Sequence, residues 1–145
     1  MNKKWQLPVC ICLLILNLLF IWGNSALPAD DSGSISTWLQ HLLVFLPDGE
    51  LGHTIIRKMA HFAEFASLGC LCAWLQLLLS GRIRAGALGA GLAVACLDET
   101  IQLFVPGRAS ALMDVWLDTS GFAAGLLLVL LGYTYFKHKF PQEEQ

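Results

Sequence analysis

Four stretches of the chain stay apolar for about the length of a membrane crossing, and each ends at a charge, a Pro-Gly pair or a polar turn. The first, residues 5–23, carries no charge and follows Lys3 and Lys4. The second runs over 59–80, the third over 86–105, where Pro106-Gly107 stops it, and the fourth over 115–136. A helix needs about 20 apolar residues to cross the hydrocarbon core, so the pattern predicts four transmembrane helices. Gly81-Arg82-Ile83-Arg84 makes a tight basic turn between the second and third, and the segment from Pro106 to Met113 joins the third and fourth. The first run also has features of a signal peptide, with Asn24-Ser25-Ala26 as a cleavage site. Asn is a poor residue three places before a cut, and Trp5 and Trp22 suit interfacial anchors, so a retained first helix is the expectation.

The one long connection, residues 24–56, changes character part-way. Pro28-Ala29-Asp30-Asp31-Ser32-Gly33 reads as loop. From Ser34 the pattern turns helical, with Ile35, Trp38, Leu39, Leu42 and Leu46 on one face until Pro47-Asp48-Gly49. That segment is too short to span and reads as an amphipathic helix lying in the interface or across the bundle mouth.

Composition agrees with the pattern. Of 145 residues 56% are apolar and 14% charged, against about 45–50% and about 25% in soluble domains. The length leaves room for a single domain, 1–145, and a net charge of −2 supplies no basic stripe for nucleic acid. On one side of the predicted spans lie Lys3, Lys4, Arg82, Arg84, Lys137 and Lys139. On the other lie Arg57, Lys58 and Arg108, together with Asp30, Asp31, Asp48 and Glu50. The positive-inside rule puts both termini in the cytoplasm. The predicted fold class is therefore an all-α integral membrane bundle of four helices, both termini inside, with the long loop outside.

Charges within membrane helices are costly and mark function. Glu64, Asp98, Glu99 and Asp118 sit inside the predicted spans. At about 1.5 Å per residue, all four fall roughly 5–12 Å below the outer surface. At about 100° per residue, Arg57, His61 and Glu64 share one face of helix two, while Lys58 points elsewhere, toward the headgroups. Asp114, Asp118, Gly121 and Gly125 form a stripe on helix four, where the glycines admit a close neighbour. Gly91, Ala95, Asp98 and Gln102 share a face of helix three with Glu99 at its shoulder, and Arg108 reaches over the cleft. A bland alternative makes these charges interhelical ties. Five carboxylates against three fixed cations exceed what ties require.

Other features carry less. His61, Glu64, Glu99 and Asp118 are not a diagnostic metal set, and no metal or other cofactor is expected. Cys10, Cys12, Cys70, Cys72 and Cys96 lie in apolar runs without a C-x-x-C motif and read as small core residues. Gly86-x-x-Gly89-x-Gly91 opens a membrane helix and reads as packing, not as a phosphate loop.

Three blocks then resemble the VanZ-like membrane protein family. They are Arg57-Lys58-Met59-Ala60-His61-Phe62-Ala63-Glu64-Phe65-Ala66-Ser67-Leu68-Gly69, Asp98-Glu99-Thr100-Ile101-Gln102-Leu103-Phe104-Val105-Pro106-Gly107-Arg108, and Ser110 followed by Asp114, Asp118 and Gly121. Phe65 departs from the pattern, which has Tyr there. The resemblance implies a multi-pass protein of the bacterial plasma membrane, in a family named for glycopeptide (teicoplanin) resistance and without a settled reaction. It points to Arg57, Lys58, His61, Glu64, Glu99, Gln102, Arg108, Asp114 and Asp118.

Three functional classes remain open. In an enzyme acting on envelope lipid or wall precursor, His61, Glu64, Glu99 and Asp118 do the chemistry. Arg57, Lys58, Gln102, Arg108 and Asp114 then hold the substrate, with Arg57 and Arg108 on an anionic group. The second class is a non-catalytic binder or scaffold for lipid, antibiotic or an envelope enzyme. The third, a proton-coupled carrier, is disfavoured because the inner halves of the spans lack a polar path. So small a bundle also leaves room for a homodimer.

Overall fold

The computed structural model describes residues 3–28, 49–108 and 111–139. They form four helices: α1 Lys3–Ser25, α2 Glu50–Ser80, α3 Ala87–Gln102 and α4 Leu112–Lys139. Three of them, α1, α2 and α4, are long and apolar enough to cross a membrane. The amphipathic segment expected from Ser34 lies outside the described residues.

Two boundaries differ from the sequence pattern for local reasons. α2 begins at Glu50 rather than near Met59, because Gly49, at φ 86°, turns the chain into the helix and no proline interrupts the residues up to Met59. Arg57 and Lys58 are thereby helical residues with fixed directions. α3 ends at Gln102 rather than Val105. Phe104 and Val105 close tight turns onto the carbonyls of Ile101 and Gln102, and the proline at 106 disfavours helical geometry in the residue before it. The turn after α2 closes on Gly81, which at φ 67° caps the helix by donating its N–H to Leu77 O at 3.0 Å. Gln76 Oε1 accepts the N–H of Arg84 at 2.8 Å and pins the same turn.

The helices form a ring in which α2 and α4 share the largest interface, α1 packs on α2 and α3, and α3 packs on α4. Direction comes from the pairings. Phe62 meets Gly121 and Ala66 meets Gly125, so α2 and α4 run parallel. Cys10 reaches Leu71 O, Asn17 reaches Ser67 and Asn24 reaches Glu64, so α1 runs antiparallel to α2. α3 returns antiparallel to α4, with Gly91 against the ring of Phe122.

The α2–α4 seam depends on absent side chains. A Cβ on Gly121 would lie 2.5 Å from Phe62 O, and one on Gly69 or Gly125 would collide with backbone of the other helix. The glycines let the two backbones touch, the packing mode of helices in lipid. Ile21, Phe65, Leu68, Ala95, Phe122 and Leu126 fill the interior. Trp22, expected at the interface, packs against that core. The outward faces are apolar instead, with Leu16, Leu19, Phe20, Leu79, Leu128 and Leu131 all exposed. Two of the cysteines expected in the core, Cys12 and Cys96, also lie on that exposed face, because their helical positions point away from the neighbouring helices; all five thiols are free.

Candidate functional site

Against this apolar exterior the buried polar residues stand out: Ser25, His61, Asp98, Glu99, Gln102 and Asp118. They come from all four helices and meet in one layer. α2 supplies His61 from the face that packs on α4. α4 supplies Asp118, one helical turn before the glycine seam, where close backbone approach brings it beside α2. α3 supplies Asp98 with Gln102 one turn later on the same face, and α1 supplies Ser25 from its last turn.

His61 Nδ1 lies 3.8 Å from Asp98 Oδ2 and 3.9 Å from Asp118 Oδ1. Both separations exceed hydrogen-bonding distance. Asp98 Oδ2 accepts hydrogen bonds from Ser25 Oγ and Gln102 Nε2, each at 2.9 Å, and Gln102 Nε2 also lies 3.3 Å from Ser25 Oγ. Neither oxygen of Asp118, nor Asp98 Oδ1, has a hydrogen-bond partner among the described residues. A narrow cleft leads to this cluster, lined by Arg57, Lys58, His61, Glu99, Gln102, Asp114, Leu117 and Asp118. Its interior has room for about one water molecule or ion. Beside it runs a wider, apolar groove lined by Ile55, Lys58, Met59, Phe62, Ala63 and Leu117. Lys58 and Leu117 wall both.

Several expected site residues take other positions. Lys58, expected to point away, pairs with Asp114 and borders the cleft. Its long side chain bends round to the carboxylate that α4 presents alongside, because the two helices run parallel there. Glu64 accepts from Asn24 Nδ2 at 2.9 Å, toward α1, and lies outside the cleft lining. Arg108 donates from its guanidinium to Leu27 O at 2.9 Å and Asn24 O at 2.8 Å, tying the α3–α4 loop to the end of α1. Partial burial, and next the nearby Arg57 charge, pull the Arg108 guanidinium below its usual pKa. Glu99 Oε2 accepts the backbone N–H of Ala111 at 3.0 Å and fixes the same loop. Arg57 lines the cleft and engages no carboxylate among the described residues.

The family is shown by a sequence model that matches residues 9–133, nearly the whole bundle: VanZ/LLP1. The chain belongs to the VanZ/LLP1 family. No curated protein and no solved structure gives a significant match. The motif blocks of this VanZ/LLP1 chain fall on α2, on α3 with its following loop and, from Asp114, on the start of α4, with Ser110 outside the described residues, and they converge on the buried layer.

Three participants carry no assigned role in the sequence pattern. Asp98 falls in the layer without a task of its own there, yet it stands at the centre of the cluster. Asn24 and Ser25 read as loop or cleavage site, and they supply donors to Glu64 and Asp98. One signal is available: Asn17, Ile21 and Asn24 share one face of a span that carries no charge.

Proposed function

We propose that this VanZ/LLP1 protein is a four-pass protein of the bacterial plasma membrane that takes an anionic envelope lipid or wall precursor from the outer leaflet. The observation that carries the reading is the cleft beside the groove. A basic rim of Arg57 and Lys58 leads to buried carboxylates and an imidazole, and the adjoining apolar groove offers an acyl chain a place against Met59, Phe62 and Leu117. An amphipathic ligand has both a charged and an apolar end to satisfy, and this pairing of surfaces suits it. Arg57, which engages no carboxylate among the described residues, is the anion-holding residue. In the catalytic form of the proposal His61, Glu99 and Asp118 perform the proton transfers.

The parallel alignment of α2 and α4 supports the fourth span. With these two helices side by side and pointing the same way, residues 81–111 have to return across the full depth of the bundle. α3 and its trailing turn make that return. Lys4, Arg82, Arg84, Lys137 and Lys139 then gather at one end, which supports cytoplasmic termini.

Comparing lipids and wall precursors by mass spectrometry in deletion, wild-type and Glu99→Gln strains tests the reading, with glycopeptide susceptibility measured alongside. A species that shifts in the deletion strain and shifts likewise in Glu99→Gln is the expected result. A deletion strain with wild-type lipids, precursors and susceptibility overturns it.

A second reading, non-catalytic binding or scaffolding, draws on Glu64. Its carboxylate turns to Asn24 instead of joining His61 in an acid–base pair. Under this reading, ligand binding by the purified protein survives Glu64→Gln and His61→Ala but not Arg57→Ala.

A further inference from the structure

We propose that His61, Asp98 and Asp118 bind a divalent transition-metal ion of the zinc or manganese class. The donors come from three helices, and one ligand atom from each lies within 4.8 Å of the others. The distances between them choose between two accounts of the cluster. At 3.8 and 3.9 Å, His61 Nδ1 is too far from either carboxylate for a hydrogen bond. Two donors that share an ion at about 2.1 Å each lie roughly 3–4 Å apart, depending on the angle between the bonds. The spacing suits a bridging ion and fails a direct bond.

Asp118 supplies the independent observation. It is 1% exposed, and neither of its carboxylate oxygens has a partner among the described residues. A buried carboxylate without hydrogen bonds needs a counter-charge. Lys58 pairs with Asp114, Arg108 donates from Nε and Nη2 to the carbonyls of Leu27 and Asn24, and neither Arg108 nor the cleft-lining Arg57 hydrogen-bonds Asp118. The cleft that His61 and Asp118 line has room for about one water or ion, and Asp98, outside that lining, comes within 3.8 Å of His61.

Asp98 carries the supporting contacts that metal ligands show. Ser25 and Gln102 both donate to Oδ2, the oxygen 3.8 Å from His61 Nδ1, which fixes the carboxylate plane, and Oδ1 has no partner among the described residues. One imidazole and two carboxylates favour zinc or manganese over calcium, which prefers more oxygens in a larger shell. Of the set weighed from sequence, His61, Glu64, Glu99 and Asp118, the structure keeps His61 and Asp118, while Glu64 faces α1, Glu99 holds the Ala111 N–H, and Asp98 completes the cluster.

The test uses the full chain in lipid nanodiscs, stripped with EDTA, loaded with ZnCl2 or MnCl2, desalted and assayed by elemental mass spectrometry. Free Mn2+ is followed in parallel by electron paramagnetic resonance. The wild type is expected to retain about one ion per chain. Asp118→Asn and His61→Gln are each expected to weaken retention by at least about ten-fold, and Ser25→Ala by about ten-fold through Asp98. Cys12→Ser and Cys96→Ser, at lipid-facing thiols, are expected to change nothing. Failure of the wild type to retain either metal overturns the proposal, as does retention that Asp118→Asn leaves unchanged. Where Asp118→Asn fails to accumulate, His61→Gln carries the same decision. The readout is the ion itself and needs no lipid turnover; an ion held by His61 and Asp118 would leave proton transfer in the catalytic form to Glu99.

Discussion

Ser25 is fully buried, and its hydroxyl reaches from the last turn of α1 to Asp98 at 2.9 Å. Ser25→Ala removes one of the two donors on that oxygen, so a lower melting temperature in detergent is expected, equivalent to about 0.6–2 kcal/mol. Lys58→Met makes a useful contrast. The Lys58–Asp114 pair is partly exposed at side-chain accessibilities of 42% and 20%, so its loss is expected to cost no more than about 1 kcal/mol. The lysine also borders the cleft, and the substitution is expected to lower any lipid-linked activity well beyond its effect on stability. Comparing melting temperature with the envelope phenotype for the two variants checks both expectations. The acids of this site were legible in the sequence because a carboxylate in an apolar run is expensive wherever it points. Asn24 and Ser25 were harder to read. They stand at a helix end, where polar residues are common and cost little, and only the packing of α1 against α3 reveals that this end is buried. The turn of Glu64 toward α1 was illegible for the same reason, because an angle on one helix does not say which neighbour occupies it.

Helix packing turns on glycines that the stripe on α4 already suggested. The stripe Asp114, Asp118, Gly121, Gly125 does face the bundle, and its glycines meet the carbonyls of Phe62 and Ala66. Gly125→Leu forces the α2–α4 backbones apart, and a loss of several kcal/mol or failure to accumulate in the membrane fraction is expected. Gly89→Ala meets open space and is expected to hold stability or raise it by up to about 1 kcal/mol through helix propensity. Thermal unfolding of both variants in the same detergent makes the comparison. Element boundaries were less legible than element faces. Periodicity located the stripes, but the start of α2 depends on Gly49, and the end of α3 on how a proline constrains the residue before it. The packing of α1 bears on processing as well. Cys10, Ile21 and Ser25 are fully buried against the other helices. A cut after Ala26 would strip Asn24 from Glu64 and Ser25 from Asp98, so the intact mass of membrane-extracted protein is expected to include α1.

At the scale of the whole molecule, the number of crossings decides which side of the membrane the cleft faces. By length and apolarity three helices qualify, and α3 at 16 residues falls short. At about 1.5 Å per residue it covers roughly 24 Å of a core about 30 Å thick. Three crossings would put the termini on opposite sides, whereas four put both on the side of Arg82 and Arg84. Parallel packing of α2 and α4 weighs against three, because the chain leaves the far end of α2 and must re-enter α4 beside the near end of α2. The turn at residues 103–105 after α3, with its exposed Leu103 and Phe104, extends the apolar stretch beyond the helix and makes up much of the missing depth. The positive charges agree, since the more basic side is the one that four crossings place in the cytoplasm. Fusing green fluorescent protein or alkaline phosphatase to the C-terminus separates the cases in a bacterial host. Fluorescence with little phosphatase activity is expected, and the opposite pattern rejects four crossings. A single cysteine at residue 112, introduced as Leu112→Cys in a chain otherwise free of thiols, is expected to react with an impermeant maleimide on intact cells. Arg82→Cys in the same background is expected to react only after lysis. If both sites label together from outside, α3 does not cross, and the cleft no longer opens to the leaflet in which wall precursors are displayed.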